Sequence, residues 1–268
     1  MSCFAANSLL CRLALAPRLI DPATFSTVRV LSAVAVLTGV VVARSRRLPR
    51  VRLANWRTTA SLFAYIIFFS FAYTRLSAGT GALILFGTVQ FTMFAVALWR
   101  GERLPPLSWA ALALAVGGLV YLVLPGVTAP DPLGAAFMAI AGVAWGLFSL
   151  LARSFGDPVD ANADNFAGCI PLVALVSIGF AGDFHATMSG IALAVASGAI
   201  ASGVGYVIWY AALRGLPRTH AATVQLSVPA IAAFGGVVLL SEPITARLVI
   251  ASIALLGGVA VVVTRRKT

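Results

Sequence analysis

Two histidines (His185 and His220), three cysteines (Cys3, Cys11 and Cys169) and eight carboxylates are this chain's whole stock for a catalytic or metal centre. Neither histidine has a ligand cluster beside it, and no HExxH, CxxC or Walker A pattern occurs. Cys3 and Cys11 would lie about 12 Å apart along one helix, too far to bridge. The spacing implies no metal, no cofactor and no disulfide framework. It also implies no ATP-driven step and no Ser/His/Asp chemistry, so an enzyme is not expected.

What remains is a small set of polar groups stranded in apolar sequence, where a polar side chain is costly and reads as functional by default. Gln90 and Gln225 lie deep in apolar segments and need hydrogen-bond partners, from neighbouring helices or from a bound solute. Arg12, Arg29 and Arg153 either snorkel to the membrane surface or anchor an anion. Glu102 and Glu242 open their helices, where a carboxylate complements the helix dipole or serves as a gate contact. Tyr65, Phe69 and Tyr73 recur every four residues and share one helix face. Tyr206, Trp209 and Tyr210 cluster in the same way, and Trp145 stands in a third segment. Tyr73, Trp99, Trp109 and Tyr210 suit interfacial belts, whereas Tyr65, Trp145 and Tyr206 lie further in. Pro229 falls within an apolar segment and is expected to kink it.

These groups must be positioned by membrane helices. Of 268 residues, 60% are hydrophobic and 10% charged, and the mean hydropathy is +0.99. A soluble domain carries about 25% charged residues, so a soluble fold is excluded. Cutting at charges, prolines and glycines predicts ten spans: 1–16, 24–43, 58–74, 78–99, 107–124, 132–152, 165–182, 189–213, 220–240 and 247–264. The first is short, and Ala14-Leu15-Ala16 resembles a signal-peptide cleavage site, yet no positive charge precedes the apolar stretch. A helix is expected there.

The net charge of +11 is a topology signal before it is anything else. With ten spans, 14 of the 19 basic residues fall on the side that holds both termini and 5 on the other. Both termini are therefore expected in the cytoplasm, and nucleic acid is not expected as a partner. All eight acidic residues fall in loops or at predicted helix ends. That implies export or exchange without a carboxylate proton relay. Gly142-x-x-x-Gly146, Ala199-x-x-x-Gly203, Gly117-Gly118 and Gly257-Gly258 permit close helix approach, and would equally serve a homodimer.

The chain also repeats itself. Ser8-Leu-Leu-Cys-Arg12 parallels Ser149-Leu-Leu-Ala-Arg153 at an offset of 141, and Glu102…Gly117-Gly118 parallels Glu242…Gly257-Gly258 at 140. The halves, 1–126 and 130–268, hold five predicted helices each. An odd number makes the second half enter the membrane inverted. The fold class is thus an all-α polytopic membrane protein, ten transmembrane helices as two inverted five-helix repeats.

At these residues the sequence resembles the drug/metabolite transporter superfamily, in its EamA-like family. The resemblance runs along nearly the whole chain. It is carried by Asn7-Ser-Leu-Leu-Cys-Arg12, Gly79-Thr-Gly-Ala-Leu-Ile-Leu-Phe-Gly-Thr-Val-Gln90, Gly101-Glu-Arg-Leu104, Ala221-Ala-Thr-Val-Gln-Leu-Ser-Val-Pro229, Ser241-Glu242-Pro243 and Gly257-Gly258. It implies a cavity between the halves and export or exchange of small metabolites by alternating access in the cell inner membrane. The residues expected at that cavity are Asn7, Tyr65, Phe69, Gln90, Trp145, Tyr206, Trp209, Gln225 and Pro229, with Arg12, Arg153, Glu102 and Glu242 as anion anchors or gates. A non-transporting membrane scaffold would need a closed, fully packed midplane, and an intramembrane enzyme would need clustered Asp, His or Ser within spans.

Overall fold

The computed structural model describes residues 1–46, 56–101, 105–152, 157–213 and 224–265. The helices are α1 (Ser2–Leu15), α2 (Pro22–Ser45), α3 (Trp56–Tyr73), α4 (Ala78–Trp99), α5 (Pro106–Val123), α6 (Pro132–Leu151) and α7 (Pro158–Gly179). They continue with α8 (Met188–Ala196), a π-helical stretch (Ser197–Val204) and α9 (Gly205–Leu213), which form one continuous rod, then α10 (Ser227–Leu240) and α11 (Ala246–Arg265). No strand occurs among the described residues.

The carboxylates that looked peripheral start these helices. Asp21-Pro22, Asp131-Pro132 and Asp157-Pro158 each put an aspartate at the N-cap and a proline at the first helical position. Each aspartate accepts from a free first-turn amide: Thr24 at 2.8 Å, Gly134 at 2.7 Å and Val159 at 2.8 Å. The sequence reading began the seventh span at 165 because acids precede it. Asp160 in the first turn instead favours the helix N-terminus. Asp164 therefore lies inside α7, half-buried, rather than in a loop.

Seven helices among the described residues are long and apolar enough to cross a membrane: α2, α4, α5, α6, α7, the rod over Met188–Trp209, and α11. The short apolar helices α1 and α10 have 14 residues each. α3 has 18 residues but opens on Trp56-Arg57-Thr58-Thr59. Leu175, Ile178, Phe234 and Ile253 are exposed and turn apolar surface outward, as lipid requires.

Packing pairs α5 with α11, α2 with α7, and α4 with α10. α6 packs on α3 and α4, and α1 packs on the α8–π–α9 rod and α10. α7 also meets α3, and the rod also meets α2. Glycine sets the closest of these approaches. A Cβ added at Gly198 would run into Ser32 Oγ and the Arg29 carbonyl oxygen, so the π-helical stretch lies backbone-to-backbone against α2.

Candidate functional site

Where α1, α2, α3 and the π-helical stretch meet, buried polar groups join. Asn7 Nδ2 donates to the Tyr65 hydroxyl oxygen at 3.2 Å, and Asn7 Oδ1 accepts from Ser197 Oγ at 2.7 Å. Arg29 Nη2 donates to the same Tyr65 oxygen at 3.2 Å, and Arg29 Nε donates to Ser202 Oγ at 3.3 Å. The guanidinium lies 5.4 Å from the Tyr65 ring centroid and 5.2 Å from that of Phe69, within cation–π reach. Arg29 is 1% exposed. It sits seven residues, about 10 Å, into α2.

An aromatic cluster continues from Tyr65. Its ring stacks on Trp145 of α6 at 5.8 Å and 24°. The Trp145 indole N–H donates to the Tyr206 hydroxyl of α9 at 3.1 Å. Phe4 of α1 meets Trp145, Tyr206 and Trp209 edge-on at 5.8, 5.5 and 6.1 Å. Phe86 of α4 closes on Trp145 at 5.2 Å. Tyr65, Phe69, Trp145, Tyr206, Trp209 and Asn7, which lie on four helices, converge on one region.

A second locus lies at the α1–α2 end of the molecule. α10 stops at Ser241 in a left-handed conformation (φ 53°), and the Glu242 amide donates to the Gly236 carbonyl at 3.1 Å. This turn folds the Glu242 side chain back over Gly236, where a Cβ would meet Oε2 at 2.7 Å. Glu242 Oε1 accepts from Arg12 Nε at 3.0 Å, and Oε2 accepts from the Ala78 amide at the start of α4 at 2.8 Å. Arg12 Nη1 also donates to the Tyr73 carbonyl at 3.2 Å. The carboxylate therefore meets both an arginine and a helix N-terminus, though not the N-terminus of its own following helix.

Comparison with known proteins decides the family. A model of the EamA-like transporter family matches residues 132–264. An uncharacterized protein of Pseudomonas aeruginosa is 46% identical over 266 residues, spanning 99% of this chain and 92% of that one. The chain belongs to the EamA-like family of the drug/metabolite transporter superfamily. A probable terminal-alkyne amino-acid exporter of Streptantibioticus cattleyicolor is 28% identical over 82% of this chain and 72% of its own. An uncharacterized transporter of Archaeoglobus fulgidus is 24% identical over 79% and 80%. One solved crystal structure superposes with a TM-score of 0.68 over 97% of this chain and 96% of the other, at 23% identity. This EamA-like protein is accordingly a multi-pass membrane transporter, with a small molecule as its substrate.

The remaining expected residues fall elsewhere in this EamA-like chain. Gln90 is buried on α4, one turn beyond Phe86, and stands outside the Asn7–Tyr65–Arg29 network. Gln225 is half-buried and helical, just before a turn on Leu226. The helical run breaks at Leu226, three residues before Pro229, which has no N–H to give the Gln225 carbonyl four residues back. Glu102 and Arg153 lie outside the described residues.

The sequence alone gives Arg29 a snorkelling or anion-binding role and carries no signal that singles out Ser197, Ser202 or Phe4 for the site. Ser197 and Ser202 are five residues apart, which on an α-helix turns their side chains about 140° from each other. The π-helical stretch, with its i to i+5 bonds, brings both to the α1–α2 side.

A pocket of about 850 Å³ opens among the α1–α2, α3–α4 and α7–α8 connections, lined by Arg18, Asp21, Phe71, Arg75 and His185 among others. It begins at Leu15, one turn of α1 beyond Arg12.

Proposed function

We propose that this EamA-like protein is a secondary carrier that exports or exchanges small metabolites by alternating access between two inverted five-helix halves, 1–126 and 130–268. Both termini would face the cytoplasm of a cell whose inner membrane holds the protein. The observation that carries the reading is the buried seam itself. Asn7, Arg29, Tyr65 and Phe4 from the first half meet Ser197, Ser202, Trp145 and Tyr206 from the second, through hydrogen bonds and ring contacts. A scaffold would gain nothing from polar groups in a membrane seam that an apolar core could fill more cheaply.

Two further observations support it. Exchanging each of the first five helical rods for the rod five further along maps the principal packing pairs onto one another. α3 on α6 becomes the α8–π–α9 rod on α1, α4 on α6 becomes α10 on α1, and α2–α7 and α5–α11 map onto themselves. The Arg12–Glu242–Ala78 contact then ties a helix of one half to a turn of the other, where a gate would stand. Export as the direction takes its support from the Streptantibioticus cattleyicolor relative.

The test is counterflow in proteoliposomes against a panel of amino acids, carboxylates, amides and nucleobases. Wild type should exchange at least one class, and Tyr206→Ala and Gln225→Ala should slow that exchange. Wild-type liposomes that exchange no panel member faster than empty ones would overturn the carrier reading.

A further inference from the structure

Among the described residues, Arg29 is a cation without a counter-ion. None of the ion pairs among the described residues includes it. Its Nη1 is buried with no hydrogen-bond partner, while Nε and Nη2 each reach a neutral hydroxyl. An arginine keeps its charge at any accessible pH, and its five N–H groups only donate. The surroundings are rich in donors as well. The Tyr65 oxygen already accepts from Asn7 and Arg29, so its own proton points away from both. Asn7 spends its one acceptor on Ser197.

A buried charge in this position is costly unless something negative completes it. The rings of Tyr65 and Phe69 supply part of the compensation through their negative faces. They cannot satisfy Nη1, which needs an acceptor atom. The geometry points to Arg29 as the anchor for a carboxylate of the transported molecule, received by Nη1 of Arg29 and the Tyr65 O–H. This rests on the carrier reading above and names its substrate class.

The rest of the ligand follows from the neighbours. Tyr65 shares its ring with Trp145, and beyond it lie Tyr206 and Phe4. The group attached to the carboxylate is therefore apolar or aromatic. The substrate is a small organic acid with an apolar body, and an apolar amino acid carries the same two parts. The planar guanidinium explains why the position holds arginine: Nε and Nη2 stay on Ser202 and Tyr65 while Nη1 is left for the ligand, a division that an ammonium acting as a single point charge does not make.

The test uses the full chain in lipid nanodiscs and matched acid–amide pairs: L-phenylalanine with L-phenylalaninamide, L-leucine with L-leucinamide, and phenylacetate with phenylacetamide. Thermal melting of wild type should rise with one or more of the acids and not with its amide. Arg29→Gln should weaken the acid's apparent affinity about tenfold or more, and Arg29→Lys less. If Arg29→Gln does not fold, Tyr65→Phe keeps the ring and removes the hydroxyl, and should weaken acids selectively over amides.

A wild type that no acid stabilises, or that acid and amide stabilise alike, overturns the anchor. So does chloride matching the best acid at equal concentration. Counterflow separates the two readings. Exchange of neutral panel members with no preference for acids leaves the carrier standing and removes the anchor, whereas no exchange of any kind removes the carrier.

Discussion

Arg12 and Glu242 are 230 residues apart in sequence and meet at 3.0 Å, Nε to Oε1, with 22% and 13% of their side chains exposed. The same carboxylate accepts the Ala78 amide, so one side chain holds α1 against the start of α4 from the turn after α10. The contact is mostly shielded and geometrically specific, unlike the more open Arg44–Asp157 and Arg75–Asp131 pairs at 3.4 Å. Fully exposed pairs contribute little to stability. The Arg12 pair is the one whose loss should be felt.

Glu242→Gln keeps an acceptor for Ala78 and removes the charge opposite Arg12. A loss of about 1.4 kcal/mol at this proposed gate shifts the open population about tenfold. Cys11, fully buried beside Arg12 on α1, reports this directly. In a background with Cys3 and Cys169 replaced by serine, maleimide labelling of Cys11 should accelerate about tenfold in Glu242→Gln. An unchanged rate would mean that the pair does not hold this end shut.

Tyr206→Phe keeps its ring contacts with Phe4 and Phe166 but leaves the Trp145 indole N–H buried without its acceptor. The expected cost is about 1–3 kcal/mol, read as a lower melting temperature. Substrate affinity should fall with it, because the indole loses the bond that fixes its orientation against Tyr65. Trp209→Phe, at a half-buried ring with one edge contact among the described residues, should change stability much less.

The helices were readable from the sequence because lipid leaves so few alternatives. Long apolar runs have to become helices there, and charge marks their ends. α4 occupies 78–99 as expected, and α6 covers 132–151 against an expected 132–152. The N-capping aspartates were harder, because an acid between two apolar runs reads as loop when its extended backbone in fact caps the helix that follows. The aromatic members of the site were legible from their spacing on single helices. The partnership of Asn7 with Ser197 was not, since it joins residues 190 apart through a π-helical stretch whose i to i+5 bonds depart from the α-helical period. Arg12 with Glu242 was half legible. Each was marked as a gate or anchor, and only the left-handed turn at Ser241 brings them together.

Gly198→Ala tests whether the close crossing of α2 and the π-helical stretch positions Arg29. The added methyl would strike Ser32 Oγ and the Arg29 carbonyl, and backbone cannot swing aside as a side-chain tip can. Overpacking of this kind costs about 1–3 kcal/mol. The melting temperature should fall and counterflow should slow. Gly39→Ala, on α2 with open space at its Cβ, should leave counterflow unchanged and the melting temperature unchanged or slightly raised. Equal damage at the two positions would show that the crossing is not special.

The paired glycines give the sharpest test of the proposed two-fold relation between the halves. In Gly117-Gly118 and Gly257-Gly258 only the second member is in contact. A Cβ at Gly118 would meet the Ala254 Cβ at 2.8 Å and the Leu255 amide nitrogen at 3.0 Å, while one at Gly258 would meet the Ala111 carbonyl and the Ala115 Cβ. A Cβ at Gly117 or Gly257 meets nothing within 4 Å. α5 and α11 therefore press the same glycine of each pair into the other helix, at positions related by the 140-residue offset. Gly118→Ala and Gly258→Ala should each destabilise the protein by about 1–3 kcal/mol. Gly117→Ala and Gly257→Ala should be neutral, or stabilising by up to about 1 kcal/mol through helix propensity. Melting curves of the four single variants decide it. If only one of the two contact glycines is sensitive, the helix pair is not the symmetric joint that the repeat requires.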